Sequence, residues 1–267
     1  MKQKGEKITM LTAYDYTTAR IIDEAGIPLI LVGDSLGNVV LGYESTIPVT
    51  MEDMLHHTKA VVRGCKKAMV ISDLPFMTYH ISTEDALRNS ARLIQAGGAQ
   101  AVKLEGGINV ADKVKKIVDC GIPVMGHIGL TPQSINQLGG FKVQGKSLEA
   151  ARRLLDNAKA LDEAGACAVV LETVPAPLAT FISQSIKIPT IGIGAGSGCD
   201  GQVQVVSDIL GLFTDFVPKH TRQYTRLADI MSTAITEYYN EVKTGSFPTD
   251  KQSFSMDEGI ITELKKH

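Results

Sequence analysis

Short apolar runs alternate with amphipathic stretches along the whole chain, and most of the amphipathic stretches stop at a glycine. Ile8–Thr12 reads as a strand, and a helix follows from Tyr16 to Ala25, where Gly26 ends it. Leu29–Val32 is a continuous apolar run that closes on Gly33-Asp34-Ser35. The next helix opens at Thr50-Met51-Glu52-Asp53, the spacing of a capping box, and stops at Gly64. Ala68–Ser72 is a third strand, closing on Asp73-Leu74-Pro75, and Ser82 with Asp85 starts a helix that reaches Gly97. After the fourth strand, Val110, Val114, Ile117 and Val118 share one helical face, closed by Gly121. Pro123–Gly126 is strand five, ending at His127, and Leu148, Ala151, Leu155, Ala158 and Leu161 mark a helix that Gly165 ends. Ala168–Leu171 is strand six, ending at Glu172; a helix from Pro177 to Ile186 leads to strand seven, Thr190–Ile193. Val203–Leu210 reads as a short helix and Asp215–Val217 as strand eight. Leu227, Ile230, Met231, Ala234, Ile235, Tyr238, Tyr239 and Val242 then form the clearest helical stripe in the chain.

The fourth strand, within Ala101–Gly107, breaks the apolar rule. It reads A-V-K-L-E-G-G, and side chains alternate across a strand, so Lys103 and Glu105 share one face while Val102 and Leu104 share the other. An unpaired buried charge is costly, so the pair needs a partner, a cation or a ligand. The simpler reading is a lone Lys103–Glu105 ion pair on a half-exposed strand.

Buried, non-alternating strands separated by helices imply a parallel sheet with helices outside it. Eight such units in 267 residues predict a (β/α)8 TIM barrel in a single domain. A doubly wound open sheet is the runner-up, but no G-x-G-x-x-G follows the first strand. The barrel domain is placed at residues 1–254, with 255–267 a polar C-terminal tail; the polar stretch from Thr244 onward is expected to be partly ordered.

Composition narrows the function classes. The formal net charge is −2 and aromatics make up 5% with no Trp, which leaves neither the basic surface nor the stacking platforms that nucleic acid demands. Cys65, Cys120, Cys167 and Cys199 lie far apart with no C-x-x-C, so they read as reduced thiols rather than a zinc site or disulfide framework. The opening residues lack the apolar run of a signal peptide, and no stretch approaches a membrane span, so a cytoplasmic protein is expected.

In a barrel of this kind the active site lies at the C-terminal ends of the strands. Asp34, Asp73, Glu105 and Glu172 all fall there, on a rim read as exposed rather than core. Each also has a local reading. Asp34 serves as a turn cap, Asp73 as an Asx-turn before Leu74-Pro75, Glu105 as the partner of Lys103, and Glu172 as a cap before Pro175. Four together on one rim weaken those readings. Neighbouring carboxylates raise one another's pKa unless a cation sits between them, and an oxygen donor set favours Mg²⁺ over zinc. A 2-oxo acid would chelate such an ion through two oxygens.

V-G-D-S-L-G (32–37), S-D-L-P-F (72–76), V-K-L-E-G-G (102–107), G-H-I-G-L-T-P-Q-S (126–134), G-G-F-K-V-Q-G (139–145), V-L-E-T-V-P (170–175) and I-G-I-G-A-G (191–196) occur in order. With these motifs the chain, from about Ile8 to Phe254, resembles the ketopantoate hydroxymethyltransferase family. The resemblance implies a (β/α)8 barrel, Mg²⁺, and transfer of a hydroxymethyl group from 5,10-methylenetetrahydrofolate to 3-methyl-2-oxobutanoate in pantothenate biosynthesis, through a Mg²⁺-stabilised enolate. Carried over position by position, it implies Asp34, Asp73 and Glu105 as metal ligands, Asp34, Ser35, Asp73 and Lys103 as keto-acid contacts, and Glu172 as the proton acceptor. It further implies a homo-oligomer, often a decamer. The segment before Ile8 is shorter than in most relatives and the tail after Phe254 longer than in many, which bears on oligomer contacts rather than on chemistry.

Weaker features remain. His127 reads equally as a contact for substrate or metal-bound water and as a hydrogen-bonded structural histidine; His56 and His57 diverge on a helix and read as structural. The stretch from Ile128 to Lys146 is long for a barrel loop and reads as a lid or folate contact. Gly192–Gly198 reads as tight backbone packing, since the keto acid carries no phosphate. Three other functions compete. One is a Mg²⁺-dependent 2-oxo-acid lyase or mutase of the phosphoenolpyruvate mutase–isocitrate lyase type, though its K-C-G-H-like cysteine motif is absent. The others are a Schiff-base aldolase using Lys103 and a non-catalytic keto-acid or metal sensor on the same rim.

Overall fold

Residues 2–140 and 142–267 are described by the computed structural model; Phe141, within the G-G-F-K-V-Q-G motif, lies outside the described residues. The chain runs β1 (Ile8–Thr12), α1 (Tyr16–Glu24), β2 (Leu29–Val32), α2 (Leu36–Val39), α3 (Met51–Gly64), β3 (Met69–Asp73), α4 (Thr83–Gln95), β4 (Ala101–Glu105) and α5 (Ala111–Asp119). It continues through β5 (Val124–Gly129), α6 (Ile135–Leu138), α7 (Leu148–Glu163), β6 (Ala168–Glu172), α8 (Ala176–Ser185), β7 (Thr190–Ile193), β8 (Gly201–Gln204), α9 (Val206–Ile209), α10 (Leu227–Thr244) and α11 (Glu258–Leu264). The eight strands are all parallel and close into a barrel in chain order. The predicted capping box at Thr50 and Asp53 starts α3, and Ser82 caps α4.

Alternation along each strand sorts side chains into two apolar layers. Ile8, Met10, Leu31, Ile71, Ala101, Met125, Ala168, Val170, Ile191 and Val203 fill the barrel interior, while residues such as Val70, Val102, Leu104 and Val169 pack outward under the helices. The interior series carries charges toward one mouth only. β4 points Ala101, then Lys103, then Glu105 inward, and β6 points Ala168, then Val170, then Glu172. Parallel strands bring all those upper ends to the same side. The lower barrel is an apolar plug and the upper mouth is polar.

The eighth strand is not at Asp215–Val217. That segment is an exposed loop, with Phe216 at 66% exposure, and the strand is Gly201–Gln204. Closure decides this: Ile8 and Ile191 both register with Gly201, and a Cβ at Gly201 would lie 2.3 Å from the Ile8 carbonyl oxygen. The helix expected over Val203–Leu210 shrinks accordingly to α9. The stripe at Leu227–Val242 does form a helix, α10, but among the described residues it buries none of its own, and Ile230, Ile235, Tyr238 and Tyr239 stand exposed. The tail contains α11 and is likewise exposed. Among the described residues no helix is long and apolar enough to cross a membrane.

One buried carboxylate secures the helices to the barrel. Asp23 on α1 accepts backbone N–H bonds from Lys66, Lys67 and Ala68 (3.1, 2.9 and 2.7 Å), tying α1 to the entry of β3. The Ala68 bond leads the causes that outweigh burial and hold its pKa below the usual carboxylate value. A depressed pKa contributes stability that is present above the unfolded value of about 3.9 and lost as pH falls through the lower folded value. Asp23→Ala, which strands three donors, should cost about 1–3 kcal/mol in urea unfolding at pH 7. The gap from wild type should narrow below about pH 4. An unchanged urea midpoint would show those bonds to be dispensable.

Candidate active site

Strand register assembles the mouth. Asp73 pairs with Lys103, Glu105 with His127, and Gly129 with Glu172, so the polar groups at the top of β3, β4, β5 and β6 become side-by-side neighbours. Asp34 joins them from the turn after β2, where its backbone N–H donates to Asp73 Oδ2 at 3.1 Å. Gly129 is needed at its place: φ is +98°, and a Cβ there would sit 2.2 Å from the Glu172 carbonyl oxygen. The rim is not exposed as its sequence position suggests. Asp34, Asp73, Lys103 and Glu105 are 4, 2, 4 and 4% exposed, closed over by the turns above the strands. Glu172 is the more open acid, its side chain at 16%.

The ion pairs differ from the simple expectation. Lys103 Nζ lies 2.7 Å from Asp73 Oδ1, so its partner is on the adjacent strand and not Glu105 on its own. Burial works against the Lys103 ammonium, but Asp73, then Glu105 and Asp34, outweigh it and raise its pKa further. Glu105 instead faces His127. The imidazole sits between two carboxylates, Nδ1 at 3.3 Å from Glu105 Oε1 and Nε2 at 3.2 Å from Glu172 Oε2, at ion-pair distance without the alignment of hydrogen bonds. Burial opposes its charge, yet contact with the two glutamates lifts His127 to about 9. His127 therefore links the acid cluster to Glu172, more than either sequence reading of it foresaw. His57, by contrast, donates from Nδ1 to the Tyr14 carbonyl at 2.6 Å and is structural.

The local readings of Asp34 and Asp73 do not survive. The Asp34 side chain accepts from Gln133 Nε2 at 2.8 Å rather than from its own turn, and Asp73 Oδ2 serves Asp34 rather than an Asx-turn. Ser35 Oγ exchanges a hydrogen bond with Tyr14 OH at 2.9 Å, which places a hydroxyl pair beside the cluster. Three residues escaped the sequence reading: Gln133, 3% exposed in the 3₁₀ turn Pro132–Ser134, the fully buried Tyr79, and Tyr14. The T-P-Q run belongs to the G-H-I-G-L-T-P-Q-S motif, but nothing in it marks a glutamine that turns inward. The glycine segment after β7 behaves as backbone packing: Cβ atoms at Gly196 and Gly198 would fall 2.4 Å from Ala176 Cβ and 1.9 Å from Thr180 Oγ1.

Oxygen donors and excess negative charge suit a divalent cation. Burial first, then Asp73 and Glu105, push the Asp34 carboxyl well above its usual range, and burial raises Asp73 against the opposing pull of Lys103. A cation among them would relieve both. Among the described residues no three acidic, His or Cys side chains gather around one point, because Gln133 holds Asp34, Lys103 holds Asp73, and His127 with the Gln133 N–H holds Glu105. Mg²⁺ typically asks for only one or two carboxylates and takes its remaining ligands from water and substrate. The adjacent pair Asp34 and Asp73, with Glu105 behind them, fits that demand.

The family model for ketopantoate hydroxymethyltransferase matches residues 1–250. A 3-methyl-2-oxobutanoate hydroxymethyltransferase of Dehalococcoides mccartyi is 70% identical over 266 residues, covering 100% of this chain and 94% of the relative. Among solved structures, 2,3-dimethylmalate lyase, described as a member of the PEP mutase/isocitrate lyase superfamily, superposes with a TM-score of 0.59 at 16% identity, over 100% of this chain and 95% of that one. Phosphonopyruvate hydrolase in complex with oxalate and Mg²⁺ superposes at 0.58 with 13% identity, over 99% and 92%. At such identities the two structures speak for the barrel alone.

Proposed function

The chain belongs to the ketopantoate hydroxymethyltransferase family, and on that footing we propose that it transfers a hydroxymethyl group from 5,10-methylenetetrahydrofolate to 3-methyl-2-oxobutanoate, giving 2-dehydropantoate for pantothenate synthesis. The observation that carries this reading is the mouth itself: a buried acid cluster with one fixed ammonium, joined through His127 to a more open carboxylate on the next strand. Asp34, Asp73 and Glu105 would hold Mg²⁺. When bound, the ion withdraws electrons from the 2-oxo group and acidifies the neighbouring C3–H.

The chain's own residues do the rest. The Lys103 ammonium and Ser35 Oγ, with Asp34 and Asp73, orient the keto acid's carboxylate and carbonyl, and the ammonium stabilises negative charge as it develops on oxygen. Glu172 Oε2, held by His127 Nε2, removes the C3 proton. The C3 carbon then forms a bond to the folate's methylene carbon, and both carbon–nitrogen bonds of that methylene break overall. One water supplies the hydroxyl, while its second proton and the C3 proton end on the two folate nitrogens. A branched C3 becomes quaternary, so orientation matters as much as acidity. A Schiff-base role for Lys103 is disfavoured, because a nucleophilic amine must be neutral and this one is held as an ammonium by three carboxylates. Self-association belongs to the same proposal, possible decamers included in what the resemblance implies: the exposed apolar side chains of α10 support a homo-oligomer.

The direct test mixes the protein, keto acid, methylenetetrahydrofolate and Mg²⁺. 2-Dehydropantoate should form, stop after exhaustive chelation and return on adding Mg²⁺. Full turnover by the chelated protein would overturn the metal assignment, and no product under any condition would overturn the reaction.

A further inference from the structure

Gln133 is a neutral side chain wedged among the acids, and both polar atoms of its side chain are hydrogen-bonded. Nε2 donates to Asp34 Oδ2 at 2.8 Å and to the Leu74 carbonyl at 3.0 Å, while Oε1 accepts from Tyr79 OH at 2.7 Å. Its backbone N–H donates to Glu105 Oε2 at 3.0 Å. Tyr79 OH in turn accepts from the Glu105 N–H at 3.1 Å. The phenol proton also has the Glu105 carbonyl within reach, at 3.2 Å, but the amide oxygen at 2.7 Å is the nearer acceptor. Because Nε2 lies between two acceptors, the Asp34 carboxylate and the Leu74 carbonyl, the end of the amide that faces Asp34 is fixed. Only an amide fits. A glutamate at 133 would bring another carboxylate to Asp34 and lose both donors, and a lysine could not accept from Tyr79. The turn that begins the long loop after β5 is thus a wedge seated in the site, its side chain 3% exposed.

We propose that Gln133 is a positioning residue that sets the orientation of Asp34 and Glu105, buttressed by Tyr79, and so sets the cluster's affinity for a divalent cation. This rests on the reaction and metal reading above. The groups that orient ligand carboxylates from behind typically govern about 10–100-fold in metal affinity. One residue that holds two of the carboxylates, Asp34 through its side-chain amide and Glu105 through its backbone N–H, falls in that class.

The test titrates the folded protein with Mn²⁺ alone, following free ion by electron paramagnetic resonance, in wild type, Gln133→Met, Tyr79→Phe and the double variant. Methionine keeps the length and removes every polar atom of the side chain, leaving the backbone N–H to Glu105 in place. Gln133→Met should bind Mn²⁺ about 10–100-fold more weakly. Tyr79→Phe should lose less, and the double variant should lose less than the two single losses combined, because part of Tyr79's effect passes through the amide. A merely structural role would lower thermal stability and leave affinity alone. Unchanged or tighter Mn²⁺ binding in folded Gln133→Met overturns the proposal; if that variant does not fold, unchanged binding in Tyr79→Phe does so. Wild type that fails to bind Mn²⁺ overturns the metal reading together with this one, whereas normal wild-type binding with unaffected variants overturns this one alone.

Discussion

Glu172→Gln should lower turnover by about 10²–10⁴-fold, the usual contribution of a positioned general base, with keto-acid and Mg²⁺ affinity close to wild type. The amide matches the carboxylate in shape, so packing at the top of β6 is kept. What changes is the acceptor: an amide oxygen cannot take the C3 proton. Glu172 suits the role because its side chain is the more open of the mouth's acids, while His127 Nε2 at 3.2 Å restrains it. Its place outside the Asp34–Asp73–Lys103 group means that binding and proton transfer are separable. Isothermal titration with the keto acid and steady-state assays would read the two apart. A variant with weak binding and unaltered turnover at saturation would reassign Glu172 to substrate binding.

Asp73→Asn should abolish Mg²⁺-dependent turnover and cost stability as well. Asp73 is 2% exposed, holds Lys103 at 2.7 Å and receives the Asp34 N–H, so one substitution removes a proposed cation ligand and strips the ammonium of its nearest counter-charge. Breaking a buried pair from one side typically costs about 3–5 kcal/mol. The loss here should be smaller, because Asp73 also repels Asp34, and neutralising it relieves that carboxyl. Binding of Mg²⁺ to the native state alone should raise the melting temperature of wild type by mass action and leave that of the variant unmoved. If Asp73→Asn kept both the Mg²⁺-dependent rise and the turnover, the cation would have to lie elsewhere.

Much of this architecture is visible in the chain before any coordinates. Parallel strands covered on both faces are largely apolar, and that rule locates Leu29–Val32 at its observed bounds and, around their threonines, Ile8–Thr12 and Thr190–Ile193 as well. The same rule fails for Gly201–Gln204, where a glycine and two glutamines carry no apolar run, and it is drawn instead to Asp215–Val217. Barrel closure, a tertiary demand, overrides local preference there. Within the mouth, alternation along β4 correctly turns Lys103 and Glu105 to one face, but their partners come from neighbouring strands. Which acid a lysine meets depends on register, which one strand's sequence does not contain. Gln133 is the extreme case: a glutamine in a loop has no periodicity to betray it, and its burial follows only from where β2, β3 and β4 end.

In the proposed reaction, Glu172 takes a proton from C3 of the keto acid before any one-carbon unit arrives. Proton NMR of 3-methyl-2-oxobutanoate in D₂O, with Mg²⁺ and protein but no folate, tests it most directly. Wild type should wash deuterium into C3, and Glu172→Gln, with the acid bound, should exchange no faster than the protein-free solution. Exchange in that variant at the wild-type rate would contradict it, and would make another group of the mouth the base.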